Sequence, residues 1–107
     1  MCSSDLIAAW AKWAGEFSLP FYPHVSVGWD TNPRFKEALQ ELVTGSTPEL
    51  FAGFLRRAMR FVDEGGLSPR LITVNSWNEW SESSYLEPDT VHGMKYLEAV
   101  RDVFGKR

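Results

Sequence analysis

Residues 71–82 read LITVNSWNEWSE, and the interpretation of the rest of the chain depends on this stretch. Its first four residues are mostly apolar and rich in β-branched side chains, which is typical of a buried strand. The polar and aromatic residues that follow predict a loop over residues 75–89. A buried strand that leads directly into charged and aromatic residues is the pattern expected at the carboxyl end of a parallel sheet, where active sites of α/β proteins lie.

A second strand is predicted upstream, over residues 24–29, because Val25 and Val27 alternate there with polar or small residues. A helix is predicted between the two strands. It begins at residues 47–49, where Thr is a good N-cap and Pro suits the first helical position. The apolar residues of this helix recur at helical spacing and predict a buried stripe made of Phe51, Leu55, Ala58 and Val62.

Three further helices are predicted from capping residues and apolar spacing. The first starts at Ser4-Asp5 and carries Leu6, Trp10, Trp13 and Phe17, of which Trp10 and Trp13 are expected in the core. A short helix is expected over residues 35–43, inside a long connection. The last helix is expected to start near Thr90 and end at Gly105, with a buried stripe made of Leu97, Val100 and Phe104.

The resulting order is α-β-α-β-α, and a helical crossover between strands implies that the two strands are parallel. Two strands do not form a stable parallel sheet alone, since both faces of such a sheet need cover. A (β/α)8 TIM barrel takes about 250 residues. Residues 1–107 are therefore interpreted as a single partial domain of an α/β fold. This domain would be the C-terminal portion of such a barrel, with the remaining N-terminal part as its partner.

The composition narrows the choice of partners. The net charge is −3 and no cluster of Lys and Arg is longer than the pair Arg56-Arg57, so nucleic acid is not expected to bind. No apolar run reaches the length of a membrane span, and no signal-peptide layout is present in this segment. Cys2 is the only cysteine and forms no internal disulfide. The cellular location stays open, with the cytoplasm slightly favoured.

The candidate chemistry lies on Glu79 and Glu82, which are close enough in sequence to share one side of a tight turn. Cleavage of a glycosidic bond commonly needs two carboxyl groups. Trp77 and Trp80 offer flat faces on which a sugar ring can lie, and they would desolvate a neighbouring carboxyl and raise its pKa. The polar side chains available to hold sugar hydroxyl groups are Asp30, Asn75 and Asn78.

A simpler interpretation is that the aromatic residues of this stretch belong to a core and that the carboxylates between them are solvated. The position at the end of a strand and the paired Trp residues favour the functional interpretation. Trp29 fits either interpretation. Glu87 is either a carboxylate behind the site or an ordinary loop acid. His24 and His92 lack metal-ligand spacing, so no metal site is predicted.

Three stretches resemble the glycoside hydrolase family 99-like group, which includes the WbsX-like proteins of polysaccharide gene clusters. Residues 25–34 (VSVGWDTNPR) resemble the strand of that family that ends in Gly-Trp-Asp. Residues 47–51 (TPELF) resemble the start of the following helix. Residues 75–82 (NSWNEWSE), continuing through 85–89 (YLEPD), resemble the signature strand and loop and are the most specific of the three.

This resemblance implies a (β/α)8 barrel and a hydrolase that cleaves internal α-mannosidic bonds with retention. By the same resemblance Glu82 would be the general acid/base, and Glu79 would help to deprotonate the 2-hydroxyl of the sugar. No cofactor or metal is implied, and this segment alone is expected to be inactive. The residues expected to bind carbohydrate are Trp29, Asp30, Asn75, Trp77, Asn78, Trp80, Tyr85 and Glu87.

The sequence departs from the family at Ser83, where the family usually has Gly after the second Glu. If this position requires a positive φ, a serine there is expected to cost roughly 1 kcal/mol.

Two rival functions remain open at this stage. One is a glycosyltransferase of surface-polysaccharide assembly, although no Gly-rich phosphate loop favours it. The other is a carbohydrate-binding fragment without catalytic activity. A requirement for a nucleotide sugar would separate transfer from hydrolysis.

Overall fold

The computed structural model describes residues 3–30 and 45–105. The helices are α1 (Ser3–Glu16), α2 (Pro48–Glu64) and α3 (Lys95–Phe104), and the strands are β1 (His24–Ser26), β2 (Thr73–Asn75), β3 (Asn78–Glu79) and β4 (Ser84–Tyr85). The helix predicted over residues 35–43 lies outside the described residues. Among the helices of the described part of the chain, none is long and apolar enough to cross a membrane.

The strands β1 and β2 are adjacent and parallel, as the helical crossover predicted. In their register Val25 lies opposite Val74, and the pairing continues past β1 through a hydrogen bond from Val27 N to Asn75 O of 2.8 Å. Both strands are shorter than predicted. The observed architecture is a mixed α/β arrangement around a two-stranded parallel sheet.

Helix α2 supplies the centre of the core. Thr47 caps it, since its hydroxyl accepts a hydrogen bond from Leu50 N at 3.2 Å, and Pro48 occupies the first turn. The predicted stripe is confirmed, because all four of its members are buried: Phe51, Leu55, Ala58 and Val62. Helix α2 contacts α1, α3 and β1, so it joins the sheet to the two other helices.

Helix α1 packs through Trp10, which is buried and stacks on Phe54 with ring centroids 5.3 Å apart. The expectation that Trp13 belongs to the core is wrong. Its ring lies 5.7 Å from that of Phe21 at the edge of the packed face, and 37% of the residue remains exposed. Phe17 follows the end of the helix and is exposed.

The start predicted for the last helix is also wrong, because α3 begins at Lys95 rather than near Thr90. Residues 90–94 form turns instead, and Gly93 adopts a φ of 57°, which no right-handed helix accommodates. The buried stripe is shifted by one position from the prediction and consists of Tyr96, Ala99 and Val103. Leu97, Val100 and Phe104 are only partly buried.

Candidate active site

The loop predicted after β2 folds into a small hairpin. Strands β3 and β4 pair antiparallel, with Asn78 opposite Tyr85 and Glu79 opposite Ser84. A turn of 3-10 helix, Trp80–Glu82, connects them. The hairpin therefore carries both candidate carboxylates at or beside its tip. The sequence did not predict this hairpin, since strands of two residues are too short to show an alternating pattern.

The hairpin is held against the sheet by a cluster of polar side chains around Ser84, which is fully buried. The Asn75 amide donates to the hydroxyl of Ser84 at 2.9 Å and to that of Ser26 in β1 at 3.3 Å. Ser84 in turn donates to Asn75 O at 2.9 Å, and Ser76 donates to Ser84 O at 2.7 Å. The Asn75 side chain thus ties the hairpin to both strands of the sheet.

The tip of the hairpin is docked on the segment that follows β1. Asp30 N donates to Glu82 O at 2.8 Å. Gly28 is buried beside the same turn, and a Cβ atom at this position would lie 2.5 Å from the carbonyl oxygen of Ser83. The close approach of the two segments therefore requires glycine at residue 28. The main chain of Asp30, the first acidic residue after β1, therefore lies next to that of Glu82 on the hairpin that follows β2.

The carboxylates share this surface with exposed aromatic rings. Glu79 and Glu82 are both partly buried, and Glu79 Oε1 accepts a hydrogen bond from the Ser81 hydroxyl. Trp77 and Trp80 are 53% and 45% exposed. These two residues are therefore surface aromatics of the described chain. Trp29 and Asn78 are also exposed.

Tyr85 and Glu87, which were expected to bind carbohydrate, both contact Trp80. The Tyr85 ring stacks on the indole of Trp80 with centroids 3.7 Å apart, and the indole Nε1 donates to Glu87 Oε2 at 2.6 Å. The Tyr85 hydroxyl donates to Asp89 Oδ2 at 3.0 Å. Sequence reasoning did not single out Asp89, although an Asp that follows Pro88 at the start of a turn is a common capping residue.

Two pKa values near this stack depart from their ordinary values. Burial raises the pKa of the Tyr85 hydroxyl, and the hydrogen bond to Asp89 and the negative charge of that carboxylate add to the effect. The backbone N–H of His92 is the largest cause that lowers the pKa of Asp89, with further contributions from Tyr85 and the backbone of Val91 that outweigh partial burial. Asp89 is therefore a carboxylate and Tyr85 a neutral phenol at neutral pH.

The described residues contain no cluster of three or more His, Cys, Asp or Glu side chains that could hold a metal ion.

Ser83 adopts a φ of 51° and a ψ of 34°, so the condition under which serine carries a cost at this position is met. Serine is strained in this left-handed region, whereas glycine is not. We therefore expect Ser83→Gly to raise the free energy of unfolding by about 0.5–1 kcal/mol, because relief of the strain exceeds the added flexibility of the unfolded chain. Chemical unfolding curves would measure the change.

Ser81→Gly is the matched control for this prediction. Ser81 lies in the 3-10 turn and donates a hydrogen bond to Glu79, so glycine there is expected to lower stability. A loss of stability in Ser83→Gly equal to that in Ser81→Gly would contradict the assignment of strain to Ser83.

The fold and the site together define an α/β protein that presents carboxylates and exposed indoles at the carboxyl ends of two parallel strands. Residues 4–100 match the family model described as Glycosyltransferase WbsX, and the chain belongs to this family. The family is carbohydrate-related, and the match does not separate glycosyl transfer from hydrolysis.

Two curated relatives are both described as uncharacterized protein WxcX and come from two strains of Xanthomonas campestris pv. campestris, one of them B100. Each is 32% identical to this chain over 81 residues. The match covers 75% of this chain but only 12% of either relative. No solved structure shows a significant match to the chain.

Proposed function

We propose that this chain carries the acidic part of the active site of a polysaccharide-active enzyme, in which Glu79 and Glu82 act on a glycosidic bond. One observation carries the proposal: the hairpin that bears both carboxylates is docked at the carboxyl ends of β1 and β2, with two exposed indoles beside it. Cleavage of a glycosidic bond commonly uses a pair of carboxyl groups.

The two carboxylates take different roles in this proposal. Glu82 is the general acid/base that protonates the departing oxygen, and Glu79 assists the 2-hydroxyl of the sugar, as the resemblance to family 99 implies. Two contacts support stable placement of these groups. The Ser81 hydroxyl fixes one oxygen of Glu79, and the main chain of Glu82 is hydrogen bonded to Asp30 N. Groups held in place before the substrate arrives lower the cost of reaching the transition state.

The exposed rings and polar groups around the carboxylates are proposed to bind the sugar. Trp77, Trp80 and Trp29 offer faces for the C–H side of pyranose rings, and Asp30 and Asn78 offer acceptors and donors for hydroxyl groups. Asn75, Tyr85 and Glu87 were assigned to the same set, but their side chains bond to other parts of the protein. We therefore place these three behind the residues that touch the substrate.

We further propose that residues 1–107 are the C-terminal portion of a (β/α)8 barrel. Parallel strands joined through a helix are the repeating unit of that fold. An apolar groove of about 380 Å³ supports the proposal, because it offers a surface against which further elements of a barrel could pack. It is lined by residues of α2, α3 and β2 and of the segment before β2: Met59, Val62, Arg70, Leu71, Ile72, Val74 and Phe104.

A second function, transfer of a sugar from a nucleotide donor, is favoured by the description of the family, Glycosyltransferase WbsX. The acidic residues would then act on an acceptor hydroxyl instead of a departing oxygen. We place hydrolysis first, because Glu79 and Glu82 lie on one hairpin and cleavage of a glycosidic bond commonly needs two carboxyl groups.

The test uses the full-length polypeptide that contains this sequence. It is incubated with α-mannan and α-mannooligosaccharides, with and without a nucleotide sugar, and the products are separated by chromatography. Release of shorter oligosaccharides in water alone is the expected result. Lengthening of the oligosaccharide only when the nucleotide sugar is present would favour the transferase. Binding without any product would point to a non-catalytic carbohydrate-binding module and overturn the catalytic proposal.

A further inference from the structure

The indole of Trp80 is held on one face and at its N–H edge by other side chains. Tyr85 covers one face at a centroid distance of 3.7 Å with an interplanar angle of 15°, and Glu87 accepts from the Nε1 edge. No sugar ring fits between two rings at this separation. The exposed 45% of Trp80 therefore belongs to the opposite face and the remaining edges, so a single face is presented to solvent.

The Tyr85 ring is itself anchored through its hydroxyl, which donates to Asp89 Oδ2 at 3.0 Å. The other oxygen of Asp89 accepts from the backbone N–H groups of Val91 and His92. The main chain of Asp89 pairs with that of Gly93 in both directions, at 3.0 and 3.4 Å. The carboxylate of Asp89 is thus fixed by the turn that leads into α3. Its hydrogen bond with the Tyr85 hydroxyl in turn fixes the Tyr85 ring.

We propose that Asp89 and Glu87 are positioning residues that hold Trp80, through the Tyr85 ring and the indole N–H, as a single-faced platform for a sugar ring beside Glu82. The inference rests on the proposed function of this site. An indole that is already fixed loses little conformational freedom when a sugar stacks on it, so the contact contributes more to affinity. A carboxylate at residue 87 or 89 that never touches the substrate would still determine how tightly the substrate binds.

The experiment separates the hydrogen bond between Tyr85 and Asp89 from the capping of the turn by Asp89. Tyr85→Phe removes only the hydroxyl, and Asp89→Ser keeps an acceptor for the backbone N–H groups but is too short to reach Tyr85. Tyr22→Phe is the matched control, since Tyr22 precedes β1 and lies at the opposite end of the strand from the hairpin. The full-length polypeptide is labelled with fluorotryptophan, and Trp80→Phe identifies the Trp80 resonance.

In the protein without ligand we expect Tyr85→Phe and Asp89→Ser to shift the Trp80 resonance towards that of a solvent-exposed indole. We expect Tyr22→Phe to leave it in place. Each of the two variants should weaken binding of α-mannopentaose roughly two- to tenfold, the size of one lost hydrogen bond. The double variant should bind about as weakly as either single variant, because both changes break one link.

An unchanged Trp80 resonance and unchanged affinity in Tyr85→Phe would overturn the inference, even if Asp89→Ser failed to fold. Losses that multiply in the double variant would also overturn it, because Asp89 would then act independently of Tyr85. If the resonance shifts as expected but the unmodified protein does not bind α-mannopentaose, the positioning of Trp80 is supported and the sugar proposed above is wrong.

Discussion

Glu82→Gln is expected to slow the cleavage of natural oligosaccharides far more than that of activated aryl glycosides, because only a poor leaving group needs a proton as it departs. Glu79→Gln is expected to slow both kinds of substrate alike, since attack by the 2-hydroxyl is needed whatever the leaving group. Each loss should lie mainly in kcat and reach about 10²-fold or more. Steady-state kinetics of the full-length polypeptide on one substrate of each kind would measure the difference.

Glu64→Gln is the control for these variants, because Glu64 is an exposed residue at the end of α2 and the same chemical change there should leave kcat unaltered. Small and equal effects of all three substitutions would mean that Glu79 and Glu82 are not the catalytic pair. Equally large effects of Glu82→Gln on both substrates would mean that Glu82 is not the general acid but contributes electrostatically to catalysis.

Gly28→Ala is expected to damage both stability and turnover. The added methyl group would lie 2.5 Å from the backbone carbonyl of Ser83, and a backbone atom cannot rotate away as a side chain does. Relief of this clash requires the hairpin to move away from β1, which stretches the Asp30–Glu82 hydrogen bond and displaces the Glu82 carboxyl. We expect about 1–3 kcal/mol of destabilisation and a loss of kcat of about 10²-fold from the displaced carboxyl.

Gly53→Ala is a matched control for this variant, since Gly53 lies in α2 and an added Cβ there meets no atom within 4 Å. Alanine is a better helix former than glycine, so Gly53→Ala should be neutral or stabilising by up to about 1 kcal/mol. Unfolding curves and kinetics of the two alanine variants measure both effects. Unchanged stability and turnover in Gly28→Ala would show that the hairpin is not docked as described.

The sequence predicted the parts of this fold that local chemistry determines. The cap at Thr47 and the buried stripe of α2 were predicted because capping residues and helical spacing are visible over a short window. The parallel pairing of β1 and β2 followed from the helix between them. The start of α3 was misplaced because Asp89 and Gly93 form a turn whose effect depends on their backbone geometry.

The candidate site divides in the same way. We predicted Glu79, Glu82 and the Trp residues from the sequence because carboxyl groups and indole rings that follow a predicted strand are typical of a carbohydrate site. Ser84 is buried and hydrogen bonded to Asn75, and Tyr85 stacks on Trp80. Both contacts depend on the register of the hairpin, which no short sequence pattern encodes. Tyr85 and Glu87 were expected to be members of the site, but only their contacts with Trp80 suggest that they position Trp80 instead of touching the sugar.

The bond between Asp30 N and Glu82 O joins the two strand ends through main-chain atoms. Main-chain bonds of this kind are indifferent to side-chain identity, so any residue except proline can occupy position 30 and keep the bond. The side chain at position 30, which we propose contacts the substrate, can therefore be exchanged while this main-chain bond is kept. Within this docking contact, glycine at position 28 is the constraint on sequence. Under the proposed function, this arrangement leaves the preference for one sugar over another open to redesign by substitution at residue 30, while the acidic residues on the hairpin keep their place.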